Sequence, residues 1–174
     1  MIYLISDTHF NHKNIIKYEN RPFNNIEHMN KVLIENWNNA ISDKDKVYHL
    51  GDFGWGNKET ITNLVSRLNG YKILIKGNHD GHSAKWYHDA GFDDVIDGGI
   101  MLDEFYLLTH KPVYSDDVYW KHHLPFINIH GHIHSEEVGT DRYVNVSVEH
   151  TEYKPILFNV VKETHRNCAY LFNR

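Results

Sequence analysis

Short apolar runs of five to seven residues recur along the chain, and most are followed at once by a polar cluster. Ile2–Ser6, Lys46–Leu50, Tyr71–Gly77, Phe105–His110, Phe126–Gly131, Tyr143–Val148 and Pro155–Val161 read as buried strands. Between the early ones the period changes. From Asn25 to Ile41, the residues Ile26, Met29, Leu33, Trp37 and Ile41 recur every three or four positions, which is one face of an amphipathic helix. Lys58–Leu68 repeats the pattern through Ile61, Leu64, Val65 and Leu68, with Gly70 as a stop signal. Ser83–Ala90 reads as a short third helix ended by Gly91, and Asp103-Glu104 as the tip of a hairpin. Strand and helix alternate first, and strands dominate later. This is a mixed α/β layout whose parallel βαβ units gather ligands at the carboxyl ends of their strands.

Composition narrows the class. The 174 residues suit one domain over 1–174, with no internal repeat, low-complexity stretch or linker. The chain is 41% hydrophobic and 24% charged, as in ordinary globular proteins. A net charge of -5 speaks against a general nucleic-acid binder, which needs a basic face. The single cysteine, Cys168, excludes an intrachain disulfide and reads as an inert thiol. Neither a signal peptide nor a membrane-spanning run is legible, so the expected location is cytoplasmic and no membrane partner is expected.

The polar clusters are the informative feature. "DTHFNH" follows the first strand with Asp7, His9 and His12, and "GDFGWG" follows the second with Asp52. "NHDGH" follows the third with Asn78, His79 and Asp80. The next two strands lead to His110 and to His132 and His134 of "GHIH". Each alone is unremarkable: an Asp after a strand is usually a turn former or cap, and a lone His is usually an ordinary surface or satisfied residue. Five strand ends on one sheet edge converge, however, and crowded carboxylates and imidazoles require a cation. Without clustered thiolates, mixed oxygen and nitrogen ligands suit Mn, Fe, Zn or Ni, and seven ligands suit two metals sharing a carboxylate. In an extended segment, His132-x-His134 would point both rings to one side.

This pattern resembles the calcineurin-like metallophosphoesterase superfamily, whose D-x-H, G-D, G-N-H-D/E, H and G-H-x-H blocks appear here as "DTH", "GD", "GNHD", His110 and "GHIH". The resemblance spans residues 7–134 and implies an αββα sandwich of two mixed sheets flanked by helices. It implies that Asp7, His9 and His134 hold one divalent ion, that Asn78, His110 and His132 hold another, and that Asp52 bridges them. Manganese is the favoured metal, with Fe, Zn, Ni or Mg as alternatives. His79 would lie over the phosphate as general acid or electrostatic stabiliser, and a hydroxide bridging the metals would attack phosphorus in line.

Departures from the family refine this reading. "GDFGWG" lacks the arginine of the phosphoprotein-phosphatase branch, and Trp55 stands where the DNA-repair nuclease branch has a histidine. The orienting partner of His79 is therefore open, with Asp80 either in that role or capping a turn. Asn11 and His12 are candidate substrate contacts. Lys13, Lys17 and Arg21 read as a solvated basic face. Tyr114–Pro125 reads equally as a rim over the metals or as a surface helix or subunit contact. His82, His88, His150 and His165 read as surface residues, and His130 as structural.

The expected activity is hydrolysis of a small phosphate ester, with a nucleotide-type or other small diester preferred to a monoester. A nuclease acting on long nucleic acid is disfavoured for want of a basic groove, and a homo-oligomer is compatible with the sequence. A non-catalytic scaffold would have lost ligands, and a metal store would not need His79.

Overall fold

The computed structural model describes residues 1–113 and 125–165. Segment 114–124 and Cys168, with the readings that fall on them, lie outside the described residues. The chain forms two mixed sheets with flanking helices, as the sequence pattern and the resemblance led one to expect.

In the first sheet, β1 (Ile2–Ile5), β2 (Lys46–His49), β3 (Tyr71–Ile75) and β4 (Asp94–Ile96) are parallel, in the order β4-β3-β2-β1. The second sheet contains β5 (Gly99–Leu102), β6 (Tyr106–Thr109), β7 (Ile127–His130) and β8 (Tyr143–Asn145) in that order. Its β5–β6 pair is antiparallel and the others are parallel. A last strand, β9 (Ile156–Leu157), closes the first sheet antiparallel to β1.

Side chains alternate across the first sheet. Tyr3, Ile5, Val47 and Leu74 pack under the helices α2 (Ile26–Ala40), α3 (Lys58–Ser66) and α4 (Ala84–Asp89). Leu4, Tyr48, Ile73 and Ile75 face Tyr106, Leu108, Ile127 and Ile129 of the second sheet. Burial on both faces is why these strands are continuously apolar rather than alternating. Each of the three helices starts where a capping residue stands. Asn25 accepts from His28 N–H at 2.8 Å, Asn57 from Thr60 N–H at 2.9 Å, and Ser83 from Trp86 N–H at 3.3 Å. The hairpin at Asp103-Glu104 is present, with φ of 48° and 58° at its two central residues, the type I′ pattern.

Some elements differ from the sequence pattern. Pro155–Val161 is not one strand: Ile156–Leu157 pair with β1, and Phe158–Thr164 form a helix, α5. Phe158 and Val161, three residues apart, enter the core between the sheets. A seven-residue apolar run lacks the length for its period to separate a buried strand from a buried helix. The Tyr143 run leaves strand geometry after Asn145, and Ser147 then bridges to Ser6, tying the second sheet to the first. A one-turn helix, α1 (Ile15–Tyr18), and the short β4 and β5 carry too little pattern to be read. None of the described helices is long and apolar enough to cross a membrane.

Candidate metal centre

The five polar blocks do meet at the carboxyl ends of β1, β2, β3, β6 and β7. Ligand-type atoms of Asp7, His9 and His134 lie within 4.8 Å of one another, as do those of Asp52, His110 and His132. Asp52 stands between the two groups. Its Oδ2 is 3.6 Å from His9 Nε2, and its Oδ1 is 3.6 Å from His110 Nε2.

Protonation states make the arrangement telling. His110 Nδ1 lies 2.8 Å from the Leu50 carbonyl, which can only accept, so Nδ1 carries the proton and Nε2 is bare. Burial lowers the pKa of His110, although Asp7 opposes this, and the ring stays neutral. Its lone pair then faces Asn78 Oδ1 at 3.0 Å and Asp52 Oδ1 at 3.6 Å. Three acceptors converge with no proton among them. In the other group, Asp7 Oδ1 and both ring nitrogens of His9 are buried without a hydrogen-bond partner. Burial raises the pKa of Asp7 and depresses that of His9. A divalent cation satisfies such donor sets, and these buried Asp and His groups can bind metal ions.

The backbone that carries these groups is unusual. Asp7, His9, Asn11, Asp52, His132 and His134 all have positive φ, between 48° and 70°. Non-glycine residues rarely adopt this region, and it costs of order 1 kcal/mol or more each time. "GHIH" is therefore not extended. His132 is the centre of a γ-turn, with Ile133 N–H donating to the Gly131 carbonyl at 2.9 Å. The turn separates the rings of His132 and His134, sending one to each group. The glycines ahead of the ligands allow close approach. A Cβ on Gly131 would overlap Ser6 Oγ and the Asp7 carboxylate, and one on Gly77 would overlap the Asp52 carboxylate.

Buried partners hold these loops. Asp7 Oδ2 accepts from Ser147 Oγ and from His132 N–H, both at 2.9 Å. Asp80 accepts from the N–H groups of Asp52 (2.7 Å), Gly77 (2.8 Å) and Phe53 (3.2 Å), so it clamps the β2 and β3 loops. Of the two roles open for Asp80, its hydrogen bonds serve the loop backbone. Arg21 overturns the reading of a solvated basic face, although Lys13 and Lys17 are exposed. It is 4% exposed and donates to the Asp7 carbonyl (2.7 Å), the Thr8 carbonyl (2.9 Å) and Glu149 (2.8 Å). Glu149, which sequence reasoning missed, lies 3.3 Å from His134 Nδ1. Nothing in "VEHTEY" marks it, because its partners are 15 and 128 residues away.

His79 lies at the rim. Its side chain is 46% exposed, its N–H donates to Asp52 Oδ1 at 2.9 Å, and its Nε2 is 3.9 Å from Asp52 Oδ2. His12 is beside it, stacked on Trp55 with ring centroids 4.5 Å apart. The Asn11 amide is engaged by Asn30 at 2.6 Å and by the Trp55 carbonyl at 3.1 Å. His130 is buried, while His82, His88 and His150 are exposed.

Comparison with known proteins places the chain. The uncharacterized protein MJ1445 of Methanocaldococcus jannaschii is 42% identical over 171 residues, covering 92% of this chain and 88% of that protein. This chain belongs to the MJ1445 family. A second similar protein is AQ665 of Aquifex aeolicus, a protein of unknown function whose crystal structure is 30% identical with a TM-score of 0.73. That match covers 94% of this chain and 98% of AQ665. The nuclease MPE of Pseudomonas putida shares 20% identity with a TM-score of 0.49, over 76% of this chain and 60% of that one, which is too slight to bear on chemistry. No protein-family model matches the chain. For this member of the MJ1445 family, the function must be argued from the site.

Proposed function

We propose that the protein is a dinuclear metal-dependent phosphoesterase of the calcineurin-like metallophosphoesterase type, acting on small phosphodiesters. The observation that carries this reading is the pair of ligand groups sharing Asp52, one carboxylate oxygen toward each. Asp7, His9 and His134 would hold one ion, and Asn78, His110 and His132 the other. Divalent cations bound there, with manganese the first candidate, would acidify water at neutral pH and offset phosphoryl charge.

The chain's own groups supply the rest. Asp52 fixes the His79 backbone through its hydrogen bond, which keeps the imidazole at the open edge of the site. From there His79 can hold a proton for the departing oxygen. The preference for a diester rests on charge. Arg21 is a guanidinium that touches the ligand loops, and its N–H groups are engaged by Asp7, Thr8, Met29 and Glu149. It is not available to a phosphate, so the second negative charge of a monoester does not gain this guanidinium as a partner.

The test is hydrolysis of a chromogenic phosphodiester beside the matching monoester, with each of Mn2+, Fe2+, Zn2+, Ni2+ and Mg2+. The diester should be cleaved faster and EDTA should stop the reaction. His79→Ala should lower kcat by roughly 10²–10⁴-fold while retaining metal by elemental analysis. If neither ester is cleaved with any of these metals, the reading is wrong.

A further inference from the structure

Beside His79 lies a slot of about 420 Å³. Trp55 forms one wall, and Trp86 with His82 forms another, the latter two rings stacked with centroids 4.0 Å apart and planes within 15°. The buried Ile61 and Tyr87 also line it. Asn78 and His79 line the slot and also belong to the candidate metal centre. One molecule can therefore occupy both.

Two features specify the occupant. First, among the described residues no lining side chain carries a carboxylate, an ammonium or a guanidinium. The described lining offers a second phosphate or a charged head group no fixed counter-charge, and it presents ring faces with an amide and imidazoles for hydrogen bonding. Second, the Trp55 ring is held although 47% exposed. The Trp55 backbone N–H donates to the Phe10 carbonyl at 2.8 Å and its backbone carbonyl accepts from the Asn11 amide, which fixes the loop, while the ring itself lies nearly parallel to His12 at 10°. A fixed, half-exposed indole is a stacking platform for a planar ring.

We propose that this slot holds the base of a nucleotide whose phosphate lies on the candidate metal centre. The phosphate's position rests on the phosphoesterase reading; the base site rests on the slot itself. Asn11 then serves the substrate indirectly, by anchoring the Trp55 loop.

Binding tests this without turnover. Calorimetry on the Mn2+-loaded protein should find adenosine 5′-monophosphate bound at least ~10-fold more tightly than ribose 5-phosphate, the size expected of one base–aromatic stack. Two variants should reduce that margin to roughly threefold or less. Trp55→Ala removes the platform. Gly81→Leu fills the mouth, where an added Cβ meets nothing within 4 Å and the fold is not strained. Adenosine alone should bind the EDTA-treated protein and lose affinity in Gly81→Leu. Equal affinity for the two phosphates in the wild type, or a margin that survives both substitutions, overturns the proposal. A protein that cleaves no ester but prefers the base keeps the slot and loses the phosphoesterase reading. One that cleaves esters with no base margin does the reverse.

Discussion

Replacing Asp52 by asparagine should stabilise the metal-free fold and abolish its response to metal. The Asp52 carboxyl is 2% exposed, and burial carries its pKa from 3.8 to about 6. The His79 N–H opposes that rise and Asp80 adds to it. Because the folded value lies above the unfolded one, the group's contribution to stability is complete below pH 3.8 and is lost as the pH rises through about 6. At pH 7 the ionised carboxylate therefore costs the metal-free chain about 3 kcal/mol, at about 1.4 kcal/mol per pH unit. Asparagine keeps an oxygen for the His79 N–H. It also turns an amide toward His9 Nε2 and His79 Nε2, now 3.6 and 3.9 Å from Oδ2. The gain should reach about 1–3 kcal/mol, or roughly 2–10 °C in Tm for a chain of this size. Guanidinium unfolding followed by circular dichroism, in EDTA at pH 7, measures it directly. Below about pH 5 the difference should shrink. With Mn2+ at about 100 times its Kd, the wild type should gain about 2.7 kcal/mol and the variant almost nothing. A metal-free Asp52→Asn protein less stable than wild type at pH 7 would refute the reasoning.

Two further outcomes follow from buried histidines and their partners. Glu149→Gln removes the charge facing His134 Nδ1 while keeping the length of the side chain, and metal affinity by calorimetry should fall roughly 10–100-fold; unchanged affinity would show that the contact does not orient the ligand. His49 is buried, takes the Gly51 N–H on Nδ1 at 3.2 Å and lies 2.9 Å from Thr8 Oγ1, and burial lowers its pKa to about 3. Its folded value lies below the unfolded 6.5, so stability should be complete above that pH and fall on acidification, by about 2 kcal/mol at pH 5. The loss should be absent in His49→Gln, and equal pH dependence in both proteins would refute it.

Much was legible in the chain before folding. The strands that carry ligands and the three longer helices follow from period and caps, because burial on one or both faces writes itself into adjacent residues. Asp7, His9, Asp52, Asn78, His110, His132 and His134 stand out because each follows a strand, and parallel strands bring their ends to one edge. The split of Pro155–Val161 into strand and helix was not legible, since an apolar run serves either element. Nor was Arg21, whose neighbours in sequence are exposed lysines.

The sequence by itself determined which side chains reach the sheet edge and which faces are apolar. Tertiary structure alone decided how they are aimed. The left-handed backbone at Asp7, His9, Asp52, His132 and His134 is unfavourable locally and persists because distant groups hold it. Ser147 reaches Asp7 across 140 residues, Arg21 ties the Asp7 and Thr8 carbonyls to Glu149, and Asp80 binds the Asp52 loop to its own. Those contacts exist only once both sheets are packed. Residue type and order could therefore announce a candidate metal centre and, through the resemblance, its two ligand sets, while the turn that separates the His132 and His134 rings and the aromatic slot at the edge belong to the folded chain.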